Sequence, residues 1–306
     1  MEPMTLASML TPLLGLACAP LLSGIIVKTK AFFAGRKGPP LLQMYYDIIK
    51  LLKKGAVYST TTSWIFAAGP VVSLAALVAA ACIVPFGRLG APLSFTGDML
   101  LFIYLLAVVR FFTVIAALDT GSAFEGMGAS REVFFSALAE PVFLLCLLSL
   151  ARSASDFRFF GIFGSSPHYS IVPAILSGVS FFIVLLAENS RIPVDDPATH
   201  LELTMIHEVM VLDHSGPDFA FITFGASIKL WLSVLIVART ILPIHAASTV
   251  ADVCLTLWVM AVIVVSVGVV ESIMARLRLL KVPQLLVGAA ALSVLALLSG
   301  EGGLLG

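Results

Sequence analysis

Three charged side chains stand in stretches that are otherwise apolar. Arg110 lies in LLFIYLLAVVRFFTVIAAL, Glu140 in VFFSALAEPVFLLCLLSL and Lys229 in AFITFGASIKLWLSVLIVA. A charge so placed costs roughly a few kcal/mol even on the lenient insertion scale, so it faces protein or water and has a partner. Arg110 and Glu140 are each eight residues from the basic end of their stretch, about 12 Å deep at 1.5 Å per residue, which allows them to pair if the two helices are neighbours. One reading is a structural ion pair. The other is a carboxylate that takes up and releases a proton while Arg110 tunes its ionisation. Lys229, about 16 Å deep, is either a snorkelling cation or a relay group, because burial readily neutralises a lysine. Glu140 and Glu188 are its candidate partners.

The segment from Glu188 to Asp218, ENSRIPVDDPATHLELTMIHEVMVLDHSGPD, holds seven carboxylates, Arg191 and three of the five histidines. His200, His207 and His214 recur every seven residues, which raises the question of metal. A zinc protease helix needs HExxH to put two ligands on adjacent turns, and HEVMVLDH lacks it, so solvated or proton-exchanging histidines are expected. Asp196 before Pro197 is a helix start, and Leu201, Met205, Val209 and Leu212 form an apolar stripe. A short amphipathic helix at the membrane surface follows. Cys18, Cys82, Cys146 and Cys254 fall one apiece in apolar stretches and read as core thiols, with no CxxC pair for a cluster or zinc. No residue pattern places a redox cofactor or metal in this chain.

The elements that must position these groups follow from composition. Of 306 residues 59% are hydrophobic and only 12% charged, well beyond a water-soluble domain. Lys plus Arg (18) equal Asp plus Glu (18), which leaves no basic excess for nucleic acid. Apolar stretches long enough to span hydrocarbon as helix occur at about 4–26, 64–86, 98–118, 132–152, 170–188, 218–243, 249–271 and 283–299. The expectation is an all-α integral membrane protein of eight transmembrane helices with amphipathic loop helices, forming a single domain over 1–306. The first stretch is expected to be retained as an anchor, since Glu2 and the absence of Lys or Arg before it do not suit a signal peptide.

Twelve cations, Lys28, Lys30, Arg36, Lys37, Lys50, Lys53, Lys54, Arg131, Arg191, Arg276, Arg278 and Lys281, fall in the odd-numbered loops. The even loops have Arg88, Arg152, Arg158 and Arg239. By the positive-inside rule the odd loops are cytoplasmic and both termini lie outside. Loop 1 carries GRKGPPLLQMYYDIIKLLKK, a rigid turn followed by the pattern of an interfacial helix, either a lipid anchor or a docking surface. Loop 3, LDTGSAFEGMGASRE, is too compact for a plain linker.

These motifs resemble the membrane-anchor subunit shared by respiratory complex I and the energy-converting group 4 nickel-iron hydrogenases. The likeness covers nearly the whole chain. It rests on the turn at Gly38 and Pro39, LLQ ending at Gln43, Asp47 with IIKLL, LDTGSAF containing Asp119, GASRE containing Arg131 and Glu132, EP at Glu140 and ENSRIPVD from Glu188 to Asp195. APLLSGI at Ala19 to Ile25, the lysine at 229, and Glu271 followed by ARLRL from Ala275 are similar to the hydrogenase branch, of the formate hydrogenlyase and hydrogenase-4 type. The chain departs from the family around Asp196, Ala198 and His200, and at Asp213 and His214, where EYSG is usual.

The resemblance implies a non-catalytic coupling subunit in a bacterial or archaeal cytoplasmic membrane. Its partners would be hydrogenase small and large subunits, a ferredoxin-like subunit and antiporter-like membrane subunits, with iron-sulfur clusters and a nickel-iron site held by those partners. Glu140, Arg110, Lys229, Glu188, Asp119 and Glu271 would relay proton or sodium coupling. Gly38, Pro39, Gln43, Asp47, Lys50, Arg131, Glu132, Arg191, Asp195, Glu202, Asp213 and Arg276 would dock the peripheral arm or line a cavity. The alternative branch is the NADH:quinone oxidoreductase, in which loops 1 and 5 would form a quinone channel.

Overall fold

A computed structural model describes residues 6–163, 171–195, 205–243, 245–246 and 248–299. Eight helices are long and apolar enough to cross a membrane. They are α1 (Leu6–Phe33), α3 (Trp64–Ala81), α4 (Asp98–Asp119), α5 (Ala123–Ala154), α7 (Ile171–Glu188), α8 (Gly216–Ile241), α9 (Thr249–Ile273) and α10 (Val282–Ser299). Two shorter helices, α2 (Gln43–Leu52) and α6 (Phe159–Phe163), lie in the connections. The chain is an all-α, multi-pass membrane protein. Each spanning helix satisfies its own backbone, which lipid cannot do.

Helix α8 is the hub and packs on α1, α2, α3, α7 and α9, while α10 closes the other side against α5 and α7. One continuous apolar core unites Ile26, Leu77, Phe102, Leu147, Phe181, Trp231, Val264 and Leu286. The outward residues are also apolar, among them Tyr104, Phe111, Trp258 and Val287, as lipid contact requires. Cys146 is buried, but Cys254 is on the exposed surface and is not the core thiol expected.

Two helices are longer at their basic ends than expected. Helix α1 continues to Phe33 because the Lys30 ammonium meets Glu271 of α9 at 2.9 Å. Helix α5 starts at Ala123 and absorbs most of loop 3. Gly128 lies on this extension, and a Cβ there would come within 2.9 Å of the Ile206 carbonyl, so the close approach of loop 5 uses the missing side chain. The surface helix expected from Asp196 begins outside the described residues. What is described of its second half is a short 3₁₀ turn, Glu208–Val211, with Met205 and Val209 buried but Leu212 exposed, so the stripe does not continue as one α-helical face.

The loops segregate into two rims. At the basic rim, Ser63 N donates to Asp119 at 2.6 Å, Arg131 donates to the Met205 carbonyl at 2.9 Å, and Leu277 N donates to the Pro193 carbonyl at 2.9 Å. At the opposite rim, Arg88 N donates to Asp252 at 2.8 Å and Phe159 N to Asp98 at 2.8 Å.

Candidate functional site: a buried ionic cluster between two cavities

Arg110, from the middle of α4, reaches between α5 and α7. Its guanidinium contacts Glu140, donates to Glu188 at 2.7 Å and lies 3.8 Å from Glu132. The other carboxylate oxygen of Glu188 is 2.8 Å from the Lys229 ammonium on α8. Four helices thus meet through one chain of alternating charge, Glu140 to Arg110 to Glu188 to Lys229. Arg110, Glu188 and Lys229 are largely desolvated, so their contacts hold only because each has an opposite neighbour. The Glu140 side chain remains 41% exposed, on the outward face of the bundle, whereas Arg110, Glu188 and Lys229 are largely enclosed.

Arg110, Glu188 and Lys229 belong to the walls of two cavities at once. The larger, a cleft of about 130 Å³, lies toward the basic rim, and its polar lining includes Thr113, Glu132, Asn189, Arg191 and His207. The smaller, about 30 Å³, lies toward the opposite rim and is lined by Ile103, Leu106, Phe143, Phe181 and Val237, with Glu140 and Ser233 as its added polar groups. The ionic cluster is the septum between the two cavities. Within the cleft, Nε of Arg110, Oδ1 of Asn189 and Nε of Arg191 are buried without a hydrogen-bond partner among the described residues. Such groups call for water.

His207 borders this cleft. Burial and the Lys229 ammonium pull its pKa down to about 4, against the opposing pull of Asp195 and Glu188. The ring is therefore neutral at physiological pH. His214 is not solvated as expected but buried, stacked on Phe66 with ring centroids 3.9 Å apart. His200 lies outside the described residues.

A second ionic group sits at the basic rim. Glu271 accepts Lys30 at 2.9 Å and Arg191 at 3.5 Å, and Arg276 meets Asp195 at 2.9 Å. Asp195 also accepts the backbone N–H groups of Ile206 and His207 at 3.2 and 3.1 Å. The structure thus places Glu271 away from Arg110, linked to it only through Arg191 and the cleft wall. Asp119 stands apart from both groups, at the Ser63 N–H. Glu132 joins the Arg110 cluster and lines the cleft. Asp213 donates its N–H to buried Glu125 at 3.3 Å, and Asp47 accepts from Gln43 at 2.9 Å. Gly38 turns the chain at φ +62°, ahead of Pro39. Lys50 is exposed on α2, and Glu202 lies outside the described residues.

Reasoning from sequence did not single out the third ionic group, Arg239, His245 and Asp252, at the opposite rim. Asp252 lies 3.3 Å from His245 and 4.0 Å from Arg239, and accepts the N–H of Arg88 and of Ala246. The signal was a basic helix end facing a helix N-terminal acid across a short loop. No group of three or more His, Cys, Asp or Glu side chains that could hold a metal ion occurs among the described residues.

A helical membrane bundle with a charged seam between two cavities, and with long loops gathered on one rim, defines the class: a membrane subunit built around buried ion pairs. The chain belongs to the NADH dehydrogenase family, whose pattern it matches over residues 5–299. It is 32% identical to formate hydrogenlyase subunit 4 of Escherichia coli K12 over 292 residues, covering 92% of this chain and 94% of that one. Hydrogenase-4 component C of the same organism is 31% identical over 277 residues, 87% of this chain and 86% of that one. A subunit of the NADH-quinone oxidoreductase of Anaplasma phagocytophilum is 28% identical over 220 residues, 65% and 64% of the two chains. In fold, the chain is similar to a chain in the structure of the membrane-bound sulfane sulfur reductase, an archaeal respiratory membrane complex, with a TM-score of 0.83, 20% identity and coverage of 96% and 98%.

Proposed function

We propose that the protein is the membrane-anchoring, energy-coupling subunit of a hydrogenase or formate hydrogenlyase-like complex, and that the Arg110 cluster is its coupling element. The observation that carries this reading is the shared septum: the same three residues line both the cleft toward the basic rim and the smaller cavity toward the opposite rim. A peripheral arm seated over loops 1, 3, 5 and 7 would change the charge above the cleft as its own cofactors are reduced. That change would be felt by His207, Arg191 and Glu188, whose buried, low-dielectric surroundings screen it weakly. Glu188 would then exchange its partnership between Arg110 and Lys229. Without Glu188 beside it, the Lys229 ammonium would give its proton across the smaller cavity to the Glu140 carboxylate, which would pass it toward an antiporter-like neighbour, and Lys229 would be reprotonated from the cleft side. The arm supplies all electron transfer, through iron-sulfur clusters and a nickel-iron site in other subunits.

We place the basic rim on the cytoplasmic side of the inner membrane, with both ends of the chain outside, because twelve of eighteen cations lie in those loops. The deciding experiment is Glu188→Gln in the whole complex, reconstituted in sealed vesicles. Electron transfer persisting while ion translocation is lost supports the reading; translocation at the wild-type ratio per electron overturns it.

A second reading rests on the lining of the cleft. Met44, Phe221 and Ile222 give it an apolar wall beside Arg110, Glu132 and Arg191, the mixture of apolar surface and a few polar groups that a quinone ring would meet. Competition by a short-chain quinone analogue for electron flow through the complex would favour that reading over the first.

A further inference from the structure

Helix α2 has no fully buried residue. Its inner face, Met44, Tyr45, Ile48 and Leu51, is half-buried against α1 and α8. Its outer face remains open, with Leu42, Tyr46, Ile49 and Leu52 each about half exposed. Winding at 3.6 residues per turn separates this outer face into two flanks. Leu42, Ile49 and Leu52 run along one, Lys50 and Lys54 along the other, and Tyr46 and Lys53 lie between. The loop that precedes α2 adds exposed Arg36 and Lys37, and α1 ends beside it in exposed Phe32 and Phe33. None of the five cations Arg36, Lys37, Lys50, Lys53 and Lys54 forms an ion pair among the described residues. The one acid of the segment, Asp47, is engaged by Gln43.

This partition fits a boundary between hydrocarbon and headgroups rather than a water-soluble protein surface. An apolar flank sinks toward acyl chains, a tyrosine sits at the interface, and cations on the other flank face negative charge. The inner face rests on two transmembrane helices, which fixes α2 at the edge of the bundle where lipid begins. We infer that the outer face of α2, with the loop of Arg36 and Lys37, is a binding surface for anionic phospholipid headgroups.

The surface is also tied to the cleft. Met44 on the inner face of α2 lines it, and the Leu41 carbonyl packs directly on Gly24 of α1, where a Cβ would collide. Lipids held on the outer face would therefore hold one wall of the cleft in place. The lipid assignment itself stands on α2 alone and does not depend on whether the Arg110 cluster couples.

Two measurements on the intact complex test it. With p-benzoylphenylalanine in place of Tyr46, irradiation of native membranes should join the residue to phospholipid; an adduct to another protein subunit overturns the assignment. In mild detergent, native mass spectrometry should show the wild type retaining phosphatidylglycerol in preference to phosphatidylcholine. Each cation near a membrane surface changes partition by about fivefold, so K50Q/K53Q/K54Q should lose most of that preference. Unchanged preference in the triple variant overturns the assignment. Should that variant not assemble, the photoadduct at residue 46 decides alone.

Discussion

The Arg110 and Asp252 groups are both deeply buried and ionic, but their constructions differ. The Arg110 group has one cation shared by three carboxylates, a second cation on Glu188, cavities on both sides, and an exposed exit at Glu140. The Asp252 group is sealed: the Asp252 side chain has no exposure, and backbone N–H groups from two loops hold it. Gly87 packs so closely on Asp252 that no side chain fits there. Arg239 donates to the Phe163 carbonyl at 2.8 Å, which adds a third connection to the same knot. Burial of charge is common to both groups and therefore does not by itself mark function. What differs is whether the partners are side chains that can re-pair beside water, or a fixed backbone that cannot.

The largest expected effect is that of Arg110→Met. It leaves Glu132, Glu140 and Glu188 without their shared cation, a loss of about 3–5 kcal/mol for a broken buried pair. Ion translocation in vesicles should be abolished and thermal stability in detergent should fall. Asp252→Asn should be almost as destabilising, about 3 kcal/mol, because Arg239 loses its counter-charge. Here, though, the translocation ratio per electron in the assembled complex should stay at the wild-type value. A changed ratio would erase the contrast between the two groups.

Glu140→Gln removes a half-exposed carboxylate, so assembly and electron transfer should persist while translocation falls several-fold. Lys229→Met should likewise impair coupling more than assembly, and a failure to insert would make Lys229 structural. The last expected effect is local and depends on pH. With the folded pKa of His207 near 4 and an unfolded value near 6.5, the unfolded segment binds a proton that the folded one resists. Stability around His207 is full above about pH 6.5 and declines toward pH 4, by a total of about 3 kcal/mol. Hydrogen exchange of residues 205–212, corrected for intrinsic rates, should rise between pH 7 and pH 5, and His207→Gln should flatten that rise.

Much of the framework was legible from residues alone. The eight spans follow from apolar length, and α2 follows from its own amphipathic pattern. Arg110 and Lys229 stood out because lipid makes an unpartnered charge costly, and the equal depth of Arg110 and Glu140 gave their pairing. Less could be seen where the partner is remote in sequence. Glu132 reads as a loop residue until α5 is known to begin at Ala123, which brings its carboxylate onto the Arg110 side. The resemblance groups Glu271 and Asp119 with the cluster residues, yet Lys30 and Ser63 hold them elsewhere. The stripe from Met205 to Leu212 has a helical period, but Asp195 takes the N–H groups of Ile206 and His207, and the chain is held in a short turn.

The sequence by itself determined that this chain crosses a membrane eight times, which loops carry its cations, and which buried charges demand partners. These are one-dimensional consequences of transfer free energy and of helical rise. Only the tertiary structure decided which partners those charges took, and that Arg110, Glu188 and Lys229 stand between two cavities. Ionic contacts depend on separations of a few ångströms between helices distant in the chain, and helix packing alone sets those separations.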